Sequence, residues 1–335
     1  MGLLVDGIWQ DDDQAVRTQN GHFVRPVTRY RNWITPGGEP GSSGNGGFAA
    51  ALGRYHLYVA LACPWAHRTV IMRMLKGLED VVSMSVVEPL YGPRGWKFGT
   101  MPGATPDTAN GKSELAEIYL LADPRFTGRV TVPVLWDKEA RVIVNNSEDD
   151  ICRMFNGVFS RFGDTTVELF PGDIAEEQNE LSAFIYENVN NGVYKAGFAT
   201  TQRSYEKAAR ALFAALDELE ARLATRRYLF GERVVETDWR LFCTLIRFDA
   251  VYHGHFKCNL RRIVDYPNLD GYLRDLYQQP GIAETVNFDH IKRHYYMTHE
   301  EINPTHIVPL GPELDFTRVH GREKLSVSAL AERKN

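Results

Sequence analysis

Cys63 is the residue of this chain best placed to do chemistry. It follows Tyr55-His56-Leu57-Tyr58-Val59-Ala60-Leu61, an aromatic and aliphatic run that reads as a buried strand, and it precedes Pro64, a residue favoured at the first position of a helix. A thiol at such a junction faces the unpaired N–H groups and the positive dipole end of the helix. Both favour the thiolate, which is the nucleophilic form. The residue three places on is Ala66, so an internal dithiol is closed off and a mixed disulfide on Cys63 must be resolved by an external thiol. The competing reading is a buried, inert cysteine. It suits Cys152 and Cys243, which sit among apolar helical residues, while Cys258, in a stretch with His and Lys, reads as core with a second reactive thiol as the alternative.

Other candidates surround a bound partner rather than react. Val132-Pro133 opens a strand and could hold a cis bond of the kind found in tight turns beside active sites; taken alone, a plain strand-start proline accounts for it. Tyr194 follows Asn190-Asn191-Gly192, which reads as a loop, and exposed loop aromatics more often bind something. Tyr252 continues the stripe Leu241, Leu245, Phe248, so periodicity places it in the core. Tyr295 and Tyr296 follow a basic run, and the pattern leaves open which of them faces a site.

The elements that must position these groups are legible in outline. Residues 1–50 read as an arm ending in the glycine-dense stretch from Pro36 to Gly47, a mobile loop. In 51–160 a strand, the Pro64 helix with Ile71, Met74, Leu75 and Leu78 on its apolar face, and a second strand at 81–87 imply a parallel pair. Residues 88–128 are rich in Gly, Pro and aromatics and read as a functional insertion. Thr131–Trp136 and Ala140–Val144 form a hairpin, and Asn146-Ser147-Glu148 starts a helix with Ile151, Met154 and Phe155 inward. From 171 to 300 the periodicity is all helical, and 301–335 is an irregular tail.

Composition sets the class. The chain has 335 residues, 44% hydrophobic and 24% charged, with 38 basic and 43 acidic residues for a net charge of −5, so no basic footprint for nucleic acid is present. Four cysteines without disulfide or zinc-ligand spacing fit a reducing compartment, hence the cytoplasm. No apolar run approaches a membrane span, Asp6 interrupts any signal-peptide pattern, and it also stands where a myristoylation motif wants Ser or Thr.

The assembled pattern resembles the glutathione transferase fold: an α/β thioredoxin-like N-terminal domain followed by an all-α C-terminal domain. More narrowly, Cys63-Pro64-Trp65-Ala66-His67-Arg68, Gly95-Trp96-Lys97-Phe98, Asn190 to Ala199, Val251 to Cys258, His294-Tyr295-Tyr296 and the tail from Ile302 to Pro312 resemble the glutathionyl-hydroquinone reductases, the xi class, over nearly the whole chain. The resemblance implies reduction of a glutathionyl-hydroquinone by glutathione, through a mixed disulfide on Cys63, with no metal. It implies glutathione along the edge near Cys63: Trp96 on its glycyl end, Arg129 on a carboxylate, the Val132 backbone on the cysteinyl amide beside cis-Pro133, and Ser147 and Glu148 at the γ-glutamyl end. It also implies a phenol pocket of Tyr194, Tyr252 and Tyr295, and a homodimer. Two departures stand out. The family usually shows Glu then Ser where this chain has Ser147-Glu148, and a helix-capping Thr where it has Val235. The other readings are a general thioltransferase or dehydroascorbate reductase, and a non-catalytic ligand-binding or assembly protein of the same fold. The long 88–128 segment and the tail argue against the first, and the intact Cys63-Pro64 against the second. Ring substituents, chlorinated or not, are left open.

Overall fold

The computed structural model describes residues 2–11, 18–23, 25 and 27–325, so parts of the 1–50 arm and residues 326–335 of the expected tail lie outside the described residues. The arm carries two short hairpins, β1 (Leu3–Val5) with β2 (Ile8–Gln10) and β3 (Thr18–Gln19) with β4 (His22–Phe23). It is tied to the body: Leu4 and Gly128 exchange backbone bonds of 2.9 and 2.8 Å, and Asn32 N–H donates to the Val144 carbonyl at 3.0 Å. The glycine-dense stretch is a loop closed by a bond of 2.7 Å from Gly47 N–H to the Gly38 carbonyl.

Strand β5 (Tyr55–Val59), buried along its whole length, lies at the centre of a four-stranded sheet with β6 (Ser83–Val86), β7 (Val134–Asp137) and β8 (Val142–Asn145), in the order β6-β5-β7-β8. β5 pairs parallel with β6 (Tyr58 opposite Ser85) and antiparallel with β7 (Leu57 opposite Leu135), and β7 turns back antiparallel into β8. Residues 30–32 of the arm run beside β8 and cover the sheet edge that would otherwise be open.

Helix α1 (Pro64–Leu75) connects β5 to β6, with Pro64 at its start. It ends in a Schellman turn: Gly77 has φ +60°, its N–H reaches the Met74 carbonyl and Leu78 N–H reaches that of Arg73. The expected apolar face is only part of the story. Every residue from Pro64 to Met72 is buried, because α1 packs on α3 (Glu148–Asn156) on one side and on α7 (Glu236–Arg247) of the helical half on another. Helix α2 (Leu115–Ala122) packs against β8 and lies inside the segment read as one long insertion. Its run is apolar almost all round, so no polar stripe marks it. Glu117 caps it by accepting the N–H groups of Ser113 and Glu114 at 3.0 and 3.1 Å.

The second half consists of α4 (Ala175–Ile185), a π-helical turn at Tyr186–Asn190, α5 (Asn191–Gly197), α6 (Gln202–Leu223), α7 (Glu236–Arg247), a second π-helical turn at Phe248–Tyr252, α8 (Pro267–Tyr277) and α9 (Phe288–Thr298). The architecture is thus thioredoxin-like α/β followed by all-α. The tail folds back on this half: Asn303 Nδ2 donates to the Tyr296 carbonyl at 2.6 Å, and Arg322 Nη2 to that of Leu223 at 2.9 Å. No helix among the described residues is long and apolar enough to cross a membrane.

Val235 leaves α7 without a side-chain cap from its own position, and Asp238 takes over. Its carboxylate accepts Val235 N–H at 2.9 Å, Leu229 N–H at 3.0 Å and the Tyr272 hydroxyl at 2.9 Å, all buried. Asp238→Ala leaves three buried donors without their acceptor and is expected to lower stability by about 3 kcal/mol or more. Chemical denaturation measures this, and a loss within experimental error would show that the cap is not what holds this corner.

Candidate active site

Cys63 occupies the N-cap position of α1 in an extended conformation (φ −78°, ψ 121°), and its N–H closes a turn onto the Ala60 carbonyl at 3.0 Å. The approach to it is fixed by Arg247, a fully buried guanidinium at the end of α7. Arg247 Nε donates to the Ala62 carbonyl at 3.0 Å, Nη2 to that of Leu61 at 2.9 Å, and Nη1 to that of Cys243 at 2.9 Å. Nη1 also donates to His67 Nδ1 at 3.0 Å; arginine can only donate, so His67 carries its proton on Nε2 and gives it to Thr285 Oγ1 at 2.8 Å. The Cys63 sulfur lies 3.8 Å from the Val132 carbonyl, and Val132–Pro133 is a cis bond.

The thiol does not have the lowered pKa expected of a helix start. Burial pushes it up, and the N–H groups of Ala66 and Trp65 together with the Arg247 charge only partly offset that, while the Glu148 carboxylate adds to the rise. The helix terminus acts in the expected direction, but desolvation outweighs it.

The three tyrosine hydroxyls form one hydrogen-bonded group: Tyr194 to Tyr295 at 2.5 Å and Tyr252 to Tyr295 at 3.0 Å. The Tyr194 ring lies 6.1 Å from that of Trp65, two residues after the thiol. Burial raises the pKa of Tyr194, and the charge on Cys63 raises it further, which places the two groups within electrostatic reach. Burial holds Tyr252 and Tyr295 well above the ordinary range too, so all three are protonated and can donate. Two sequence readings change here. Tyr194 stands on α5, not in a loop, immediately after a π-helical turn. Tyr252 is buried as its stripe implied, yet it ends the other π-helical turn, where the extra residue rotates its hydroxyl towards Tyr295. Tyr295 is the residue that faces the group; Tyr296 points its hydroxyl at the Ala250 carbonyl instead.

Trp96 stacks on His294, the neighbour of Tyr295, with ring centroids 4.6 Å apart. Arg129 is half-buried on the stretch leading to cis-Pro133. Ser147 is the N-cap of α3, buried, with its N–H on Asn145 Oδ1 at 2.8 Å. Glu148 opens α3 with Oε1 at 3.6 Å from Arg68 Nη1; burial and the adjacent Asp149 raise its pKa, and Arg68 counteracts them. No group of three or more His, Cys, Asp or Glu side chains among the described residues is placed to hold a metal ion. A groove of about 460 Å³ between α7, α8 and tail residues such as Leu314 shares no residue with this site.

Comparison with known proteins agrees with this fold. Residues 62–157 match the family model described as the glutathione S-transferase N-terminal domain, and 202–275 match its C-terminal domain. The chain is 52% identical over 324 residues to the glutathionyl-hydroquinone reductase YqjG of Escherichia coli K12, covering 96% of this chain and 99% of that one. It is 47% identical over 312 residues to the glutathionyl-hydroquinone reductase PcpF of Sphingobium chlorophenolicum, covering 93% and 96%. The glutathione-bound structure of YqjG superposes with a TM-score of 0.89 over 96% of this chain and 99% of that one, at 51% identity. A xi class structure from Natrialba magadii does so with 0.89 over 97% and 98%, at 47% identity. This chain belongs to the glutathionyl-hydroquinone reductase family.

For a glutathionyl-hydroquinone reductase family member, the sequence reading passed over several residues at the site. Arg247 was one, although an arginine in the apolar run Leu245-Ile246-Arg247-Phe248 is itself a signal of a buried cation with a task. His67 and Arg68 carry a signal only as part of the motif that begins at Cys63, and the arm residues Phe23 and Arg25 carry none. The charge balance at Cys63 makes a test possible. The Glu148 carboxylate raises the thiol pKa, so Glu148→Gln is expected to move the pH midpoint of iodoacetamide alkylation of Cys63 downward. An unmoved or higher midpoint would show that Glu148 does not act on the thiol.

Proposed function

We propose that this protein reduces glutathionyl-hydroquinones to hydroquinones, consuming glutathione, with Cys63 as the nucleophile. The observation that carries this reading is the hydroxyl group of Tyr194, Tyr252 and Tyr295 beside the Cys63–Trp65 helix start. A thioltransferase acting on simple disulfides has no use for three converging phenols; a quinol ring with oxygens to be held does.

In the first half-reaction the Cys63 thiolate attacks the sulfur that joins glutathione to the ring. The ring carbon bearing that sulfur has first taken a proton from the tyrosine group while the neighbouring phenol has given one up, so that, as the sulfur–carbon bond breaks, its electron pair restores the ring double bond and hydroquinone leaves. Cys63 is then a mixed disulfide with glutathione. In the second, a glutathione thiolate attacks that disulfide, releasing oxidised glutathione and the Cys63 thiolate. Trp96 and Arg129 would hold the glycyl end and a carboxylate of glutathione, Val132 beside cis-Pro133 its cysteinyl amide, and Ser147 and Glu148 its γ-glutamyl end at the start of α3. The glutathione side belongs to domain 51–160 and the quinol side to domain 171–300, and chlorinated as well as unsubstituted rings fit the chemistry. The setting is the cytoplasm, where the four free cysteines stay reduced, and the assembly is a homodimer by family resemblance.

Cys63→Ser should abolish turnover while leaving the fold and glutathione binding in place, because oxygen is a far weaker nucleophile towards sulfur. More than a small residual rate would remove Cys63 from this role. Changing Tyr194 or Tyr295 to Phe should slow hydroquinone release by about a hundredfold, the scale of a positioned acid. The second half-reaction, which involves no ring, should be nearly unaffected. Stopped-flow measurement separates the two steps, and equal slowing of both would count against a ring-handling role.

A further inference from the structure

The pocket has a cation that neither the Cys63 chemistry nor the tyrosine group accounts for. Arg25 comes from the N-terminal arm, two residues after β4, and lies against Trp65 and Tyr194. Its guanidinium carbon is 4.2 Å from the centroid of the Trp65 ring, 5.0 Å from that of Tyr194 and 5.3 Å from that of Phe23. Nε donates to Asn191 Oδ1 at 2.7 Å, which fixes the plane of the group. Nη2 is buried and makes no hydrogen bond among the described residues. A buried guanidinium donor without an acceptor is costly unless something supplies one.

The arm is held in place for this. Gly21, with φ +81°, brings the β3–β4 hairpin onto the start of α6: a Cβ there would sit 2.8 Å from Thr201 Cγ2 and 3.0 Å from its hydroxyl, closer than side chains pack. Phe23 then stacks on Phe198 at 5.7 Å and on Tyr194 at 6.2 Å, and Arg25 follows into the space above Trp65. The charge is felt inside the pocket, where it acts to lower the pKa of Tyr194 against the effect of burial.

Resting on the function proposed above, we infer that Arg25 is the oxyanion-stabilising residue of the first half-reaction, receiving the negative charge that develops on a ring oxygen as the sulfur–carbon bond breaks. The step balances without any added reagent. In the keto tautomer of the substrate, formed when the sulfur-bearing ring carbon takes a proton and the neighbouring phenol gives one up, the Cys63 thiolate attacks sulfur. The carbon–sulfur pair becomes the ring double bond, and the carbonyl pair moves to oxygen as a phenolate. Protonation of that phenolate yields hydroquinone. The ring carbon is reduced, and the two sulfurs are oxidised to the disulfide. The charge appears on the oxygen next to the cleaved carbon, and a fixed guanidinium with a donor to spare is suited to meet it.

The test uses Arg25→Met, which keeps an apolar stem over Trp65, and Arg25→Lys, which keeps the charge. Hydroquinone release in a single turnover is measured with unsubstituted and with dichlorinated glutathionyl-hydroquinone. Attack of glutathione on the mixed disulfide, loaded from oxidised glutathione, is measured separately. Arg25→Met is expected to slow release of the unsubstituted ring by about a hundredfold, the scale for removing one oxyanion donor. The loss should be smaller for the chlorinated ring, whose phenolate carries charge more readily, and the second step should stay near the wild-type rate. Arg25→Lys should recover part of the release rate. A loss equal for both rings, a loss shared by both half-reactions, or no loss would overturn the assignment and leave Arg25 a structural contact. Failure of the wild type to release hydroquinone from either substrate would overturn the underlying function, a result distinguishable from the others because it needs no variant.

Discussion

The site depends on a helix that has no solvent face. Helix α1 is buried from Pro64 to Met72, so the two strongly polar residues of that stretch, His67 and Arg68, must find partners inside the protein. The partners come largely from the second half of the chain. His67 is satisfied by Arg247 and Thr285, and Arg68 pairs through Nη2 with Glu236 and with Asp149 of α3. Removing one partner of such a buried pair typically costs about 3–5 kcal/mol. The helix that presents Cys63 is therefore in register only when the helical half is docked on the sheet, and the same docking brings Tyr194, Tyr252 and Tyr295 to the thiol. Fold and site share one constraint.

That constraint explains what could and could not be read from the chain. The strand, Cys63, Pro64 and the helix after it are local signals: a buried apolar run, a residue that opens helices, and a Gly77 that ends one. The sheet and the hairpin through Val132-Pro133 followed from the same kind of pattern. Asn190-Asn191-Gly192 misled because its polarity looks like exposure. In the folded chain Asn190 Nδ2 donates to the Arg240 carbonyl at 3.0 Å and to Thr244 at 2.7 Å, and Asn191 accepts from Arg25, so a polar triplet is buried in helix. No window of sequence holds those partners. Helix α2 was missed for the opposite reason, a run too uniformly apolar to show a stripe. The family resemblance named the tyrosines, but their convergence needs two π-helical turns that no periodicity announces.

The raised pKa of Cys63 follows from the same docking. A helix N-terminus open to water would lower it; here desolvation of the partly buried sulfur dominates. A closed site makes a poorer resting thiolate but a stronger electrostatic environment once charge appears, since every fixed dipole and cation acts across fewer water molecules. The geometry favours charge that develops during reaction over charge held at rest.

Two arginines near the thiol show how that environment is divided. Arg247 directs its N–H groups to the carbonyls of Leu61, Ala62 and Cys243 and to His67, all of them protein. Its charge reaches Cys63 through space, but its donors are committed to the backbone that aims the sulfur. Arg25 engages Asn191 with one nitrogen, rests its flat face on Trp65 and keeps Nη2 without an acceptor among the described residues. The first arginine belongs to the docked body of the protein and holds the nucleophile. The second arrives on a separate arm, seated by Gly21 and Phe23, and meets whatever enters between the arm and the tyrosines. Positioning the attacking atom and stabilising the departing group are thus assigned to different segments of the chain.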